Sequence, residues 1–137
     1  MVASVGMLFS QTGCGLFGGG STNETMRPAA GNIAGEGTVE AKRGDNGNTE
    51  IEVRVKHLAA PAKVAADSSV YVVWIRPGAD GRIQNVGALE VDAELVGRLK
   101  TTTPHRAFRL TVTPEPSARM AEPTHAPVFT SDVSLED

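Results

Sequence analysis

The sequence predicts an all-β protein: an antiparallel β-sandwich of about seven strands, immunoglobulin-like in architecture. Three observations carry this. Apolar residues fall at every second position through residues 49–56 and 107–113, the spacing of a half-buried strand. Turn signals such as Asp45-Asn46-Gly47-Asn48 and Pro77-Gly78-Ala79-Asp80-Gly81 separate short β-branched runs. No segment shows the 3.6-residue periodicity of a helix three turns long. The chain has 137 residues, the length of one domain, and a sandwich of roughly a hundred residues is the natural packing for such strands.

Taken in order, Gly37-Thr38-Val39-Glu40-Ala41-Lys42 reads as a strand, and Asn46-Gly47 returns it into Thr49-Glu50-Ile51-Glu52-Val53-Arg54-Val55-Lys56. There Ile51, Val53 and Val55 face inward, while the charged residues face water and guard against edge pairing. Val70-Tyr71-Val72-Val73-Trp74-Ile75-Arg76 is apolar on both faces, hence central. The immunoglobulin Cys pair is missing, so the core is expected to pack around Trp74. Residues 83–91 return as one strand with Gly87 at its middle. Gly in a strand marks a bulge or a close neighbour, here expected to be Trp74. Leu95 and Leu99 share a helical spacing, but Gly97 and the short length disfavour a helix. Thr101-Thr102-Thr103-Pro104 reads as a loop. Phe108, Leu110 and Val112 then face inward from another strand. Residues 114–127 are Pro-rich and irregular, and Val128-Phe129-Thr130-Ser131-Asp132-Val133 supplies a last strand.

Composition divides the chain into three parts. Residues 1–14 read as a signal segment, 15–33 as a flexible tether rich in Gly and Ser, and 34–137 as the β-sandwich domain. Val2, Ala3, Val5, Met7, Leu8 and Phe9 are apolar, and no charge precedes Glu24. Thr12 and Gly13 before Cys14 resemble a bacterial lipoprotein cleavage box, in which the Cys becomes the lipid-bearing first residue. Gln11 departs from the aliphatic residue usual there, and the charged start of a secretory signal is missing. Such lipoproteins carry two or three acyl chains, which satisfies the need of a firm anchor for more than one. Cys14 is therefore the expected lipid attachment residue, the membrane a partner through that anchor, and the cell envelope the compartment.

Several classes of function are disfavoured. Thirteen basic residues against sixteen acidic give a net charge of −3, and no basic stripe exists to neutralise nucleic-acid phosphates. The single Cys excludes an internal disulfide and a Cys-cluster zinc site. His57, His105 and His125 with Met120 include copper and zinc ligand types, but no His pair has the i,i+2 or i,i+4 spacing of a metal site. No Gly-x-Ser-x-Gly elbow is present, Glu90 and Asp92 read as a solvated strand face, and Gly18-Gly19-Gly20 lacks the Lys of a phosphate loop. No catalytic residue, metal or cofactor is assigned.

Residues 71–129 resemble the extracytoplasmic C-terminal domain of the anti-sigma-K factor (RskA) family. The likeness lies in the Tyr71-Val72-Val73-Trp74-Ile75 strand, the Asp80-Gly81 turn and Gly87-Ala88-Leu89. It continues in Phe108-Arg109-Leu110-Thr111-Val112-Thr113 with Glu115-Pro116, then Pro123-Thr124 and Pro127-Val128. Residues 35–58 fit the family's earlier hairpin. Ser117-Ala118-Arg119-Met120 stands where the family has a Gly-Gly pair. The resemblance implies the fold and an extracytoplasmic compartment. It does not carry over sigma-factor inhibition, because the His and Cys zinc motif and the membrane helix of such regulators are not found here.

A binding role remains: an exported domain that binds or senses a protein partner in the cell envelope. The edge of a sandwich can take a partner strand, and a long loop is often functional. Arg119, Met120 and His125 on the 114–127 loop are the candidate contact residues. Two other expectations stand beside it: an accessory part of a membrane anti-sigma system, and a periplasmic copper carrier using His105, Met120 and His125.

Overall fold

The computed structural model describes residues 21–28, 35–78 and 81–135. Among these, nine strands and one short helix form: β1 (Ser21–Pro28), β2 (Glu36–Arg43), β3 (Thr49–Lys56), α1 (Pro61–Val64), β4 (Val70–Arg76), β5 (Gln84–Ala88), β6 (Glu90–Val91), β7 (Gly97–Thr103), β8 (Ala107–Glu115) and β9 (Phe129–Ser134). Every ladder is antiparallel, in the order β5-β4-β8-β9-β1-β2-β3-β7-β6.

Two stretches carry the chain between the halves of this sheet. β1 pairs with β2 through residues 21–26 and with β9 through Arg27 and Pro28. β5 and β6 end the order on opposite sides, yet only Leu89 separates them in sequence. The halves therefore face each other and nearly close into a barrel. The antiparallel all-β class is as the alternation predicts. The strand count rises from about seven to nine, for three reasons, the first being that residues 101–103, expected as a loop, belong to β7. Residues 83–91 do not form one strand but bend at Leu89, leaving β5 on β4 and β6 on β7. Residues 21–28, expected as tether, form β1.

The interior is built by the residues that alternation marked. Ile51, Val53 and Val55 of β3 pack with Phe108, Leu110 and Val112 of β8, joined by Val39, Tyr71, Val73, Ile75 and Phe129. The Asn46-Gly47 turn forms, with Gly47 at φ +86 and the Gly44 N–H bonded to the Asn48 carbonyl. Trp74 does not sit in this interior. Tyr71, Val73 and Ile75 take the inner face of β4, so Val72 and Trp74 point outward and are buried by other means. Nor is Trp74 the neighbour of Gly87. Gly87 lies opposite Val73, and a Cβ there would meet Leu99 at 3.0 Å, while Trp74 pairs with Asn85.

The register defines two ends. Ser21, Lys42, Glu50 and Thr102 form one row across β1, β2, β3 and β7. Ala107, which opens β8, lies at the same near end, four residues after Thr103 closes β7. The segment from His57 to Ser69, the β6–β7 turn and residues 116–128 gather at the far end, where β3 finishes, β4 starts and β8 finishes.

Tyr71 reports on this far end. Its side chain is buried, its hydroxyl donates to the Ala59 carbonyl at 2.7 Å, and burial pushes its pKa up from 10.0 to about 12. It is the chain's one Tyr, so the phenolate absorbance reads it alone. The midpoint is expected near 12; one near 10 would mean that Tyr71 is solvent-exposed.

Candidate functional site

The loop that the sequence nominated is built around a buried acid. Glu115, the last residue of β8, is fully buried. Thr113 Oγ1 donates to its Oε2 at 2.7 Å, and the Thr124 N–H donates to its two oxygens at 3.2 and 3.0 Å. The Thr124 hydroxyl and the His125 N–H also donate to it. Burial pushes the carboxyl up, but the donors from Thr124, Thr113 and His125 outweigh it and hold Glu115 below the usual carboxylate range. The bonds therefore favour the ionised form.

The same network reaches Trp74. Thr113 alternates with the inward Val112, so its hydroxyl lies on the outward face of β8 beside β4, and it accepts the Trp74 Nε1–H at 2.8 Å. Three further ties hold the loop. Ser69 Oγ donates to the Pro116 carbonyl at 2.8 Å. Asn85 Nδ2 donates to the carbonyls of Ala118 and Met120, both at 2.9 Å. Residues 116–128 are thus fastened over the outward faces of β4 and β5.

The candidate contact residues behave differently from one another. Arg119 is exposed. Met120 is half-buried with its carbonyl engaged by Asn85, and His125 is half-buried with Nε2 2.8 Å from Asp67 Oδ1. Among the described residues no hydrogen bond or ion pair joins the three. His105 cannot complete a copper site with Met120 and His125. It follows β7 at the near end, whereas His125 touches Glu115 at the far end of β8, a strand of nine residues or about 30 Å. No three His, Cys, Asp or Glu side chains gather to hold a metal among the described residues. Cys14 lies outside the described residues.

The far end also carries a feature that the sequence did not single out. Val91 and Leu95 are 46% and 53% exposed, beside a groove of about 340 Å3 lined by Leu58, Pro61, Val70, Tyr71 and Leu89. Residues 92–99 make neither a helical turn nor a loop running on to Pro104. They form a tight turn into β7. Asp92 Oδ1 accepts the N–H groups of Glu94 and Val96 at 2.9 and 3.1 Å, and Asp92 Oδ2 accepts Arg98 at 3.0 Å. The Val96 N–H is the chief cause that lowers the Asp92 pKa. Leu95 at the tip takes φ +65, and its carbonyl accepts the Leu58 N–H at 2.9 Å. The legible signal was Asp92 followed two residues later by a turn, since Asp side chains bond N–H groups just ahead of them.

A branched side chain at positive φ costs about 1–2 kcal/mol. Glycine removes that cost but adds unfolded-state entropy. Leu95→Gly is expected to stabilise the domain by about 0.5 kcal/mol, read as a raised denaturant midpoint. A lowered midpoint would mean that the Leu95 side chain contributes packing within this chain.

Comparison of the chain with protein-family models, curated proteins and solved structures finds no match. The likeness to the anti-sigma-K factor family therefore rests on its motifs alone.

Proposed function

We infer that this chain is a non-enzymatic binding domain of the cell envelope, anchored through lipid on Cys14, whose far end engages a protein partner. The observation that carries this reading is Leu95. A large apolar side chain stands exposed on a strained backbone, fixed by Asp92 and Leu58. Strain held in place at an exposed apolar tip works against stability and is the mark of a contact residue. Its position supports the same reading. Ser21 begins β1 at the near end, seven residues after Cys14, so an anchor there joins the domain at the end opposite Leu95 and Val91.

The test is a photo-crosslinking residue placed at position 95 of the full chain in native envelope, with position 40 on the outward face of β2 as the comparison. A discrete protein adduct from position 95 alone is expected. Equal labelling from both positions, or none from 95, overturns the far-end contact. Mass spectrometry of the same preparation should find Cys14 as the lipid-bearing first residue; an unmodified Met1 overturns the anchor.

A further inference from the structure

We propose that a groove where β4 ends and β8 begins, at the near end, is a binding site for a small organic carboxylate with an apolar body. Its volume is about 740 Å3, more than twice the 340 Å3 of the far-end groove, and no residue lines both. Arg76, Arg109 and Asp132 line it beside Ile83, Phe108 and Val133.

The register leaves the charge of this groove unbalanced. Arg76 closes β4 directly opposite Arg109 of β8, and Arg109 lies opposite Asp132 of β9. All three are exposed and stand in one outward row. Arg109 holds Asp132 as a fork, with Nε 2.9 Å from Oδ1 and Nη2 3.3 Å from Oδ2. Among the described residues Arg76 has no hydrogen-bond or ion-pair partner, and no described Asp or Glu other than Asp132 lines the groove. One carboxylate therefore serves two guanidinium groups. Like charges directly opposite on neighbouring strands are destabilising, and an anion over Arg76 and Arg109 removes that cost.

The chemistry of the occupant is read from the same row. The Arg109–Asp132 fork displays the group that an arginine accepts here, a planar carboxylate matched by two N–H donors. Arg76 offers an identical guanidinium without its acid. Beside it the groove is lined by Ile83, Phe108 and Val133, and apolar surface laid against such side chains gains by leaving water. A concave, largely apolar site with a few convergent polar groups is the form that small-molecule pockets take. A cation would be repelled by the two arginines, and an uncharged apolar molecule would leave their repulsion in place.

The probe is octanoate, titrated into the full chain while backbone amide resonances are followed by NMR. Shifts are expected at residues 107–111 and 132–134, with residues 89–97 at the far end unmoved. Acetate supplies the head alone and octanol the body alone, and each should bind roughly tenfold more weakly or worse. Arg76→Gln, an exposed change that breaks no bond among the described residues, should weaken octanoate about fivefold, the factor that one exposed charge pair of about 1 kcal/mol provides. Arg76→Glu sets a carboxylate in the ligand's place, so it should abolish binding without lowering the denaturant midpoint. The proposal is overturned if octanoate leaves these amides unmoved, if acetate or octanol binds as well, or if Arg76→Gln binds like the parent. A lowered midpoint for Arg76→Glu overturns it too, by making Arg76 a structural member of the sheet. Failure here leaves adducts from position 95 untouched, and loss of those adducts leaves the octanoate result standing.

Discussion

Trp74→Ala is expected to destabilise the domain by roughly 3–5 kcal/mol, the cost of emptying a large aromatic site that cannot collapse. Trp74 is fully exposed to neither solvent nor the barrel interior: it is buried on the outward face of β4, beneath residues 116–128. Its removal opens a void under the loop and strips Thr113 Oγ1 of the indole donor. For a domain of this size each kcal/mol lowers the midpoint by several degrees, so thermal unfolding reads the effect directly. Hydrogen exchange should locate it. Amides of residues 116–128 are expected to lose protection, while the β2–β3 ladder, on the opposite half, keeps its rank among the slowest. Trp74→Phe retains most of the ring and should cost roughly 1–2 kcal/mol, mainly the lost hydrogen bond. A loss below about 1 kcal/mol for Trp74→Ala would mean that the loop does not seal this face.

Glu115→Ala is expected to cost roughly 2–4 kcal/mol, because the buried Thr113 hydroxyl and the donors on Thr124 and His125 lose a shared acceptor. Trp74 is the chain's one Trp, and its indole is bonded to the same Thr113, so its emission should shift to longer wavelength as the loop loosens. Unchanged emission with full stability would mean that Glu115 does not hold the 116–128 loop in place. The pH dependence carries a definite sign. Glu115 has a folded pKa below its usual value of 4.5. Its contribution is therefore fully present above that value and is lost as pH falls through the folded pKa. Asp92 and Asp132 are lowered as well, Asp132 chiefly by the Arg109 side-chain bond, so the parent should lose stability steeply below about pH 4.5. Glu115→Gln should flatten that loss without abolishing it. A variant with the parent's slope would remove Glu115 from the acid response.

What the sequence made legible follows from where burial is one-sided. β3 and the start of β8 were readable because each buries every second residue, and their charged positions face water. β1 was not, because Ser-Thr-Asn-Glu-Thr-Met-Arg-Pro buries only Met26 deeply and its place is fixed by neighbours on both sides. β7 was missed for a related reason: its inward positions are Gly97, Leu99, Thr101 and Thr103, which register weakly as an apolar row. Trp74 was rightly read as buried and wrongly placed, since a strand apolar on both faces does not say which face meets the interior. Glu115 was invisible as a site. Flanked by Pro114 and Pro116 it looks like loop polarity, and only the return of Thr124 across nine residues makes it an anchor. Leu95 was visible as apolar, but its spacing to Leu99 drew it toward a helix that Gly97 cannot support.

The double pairing of β1 has a mechanical side. A pull on the preceding chain is delivered to Ser21, along the axis of β1. The bonds to β2 run across that axis, from Ser21 opposite Lys42 to Met26 opposite Gly37, and Arg27 and Pro28 add a grip on β9. Antiparallel ladder bonds lie perpendicular to the strands, so this load shears all of them at once instead of peeling them one by one. β1 is thereby seated to bear tension along its axis, and it passes that tension into both halves of the barrel.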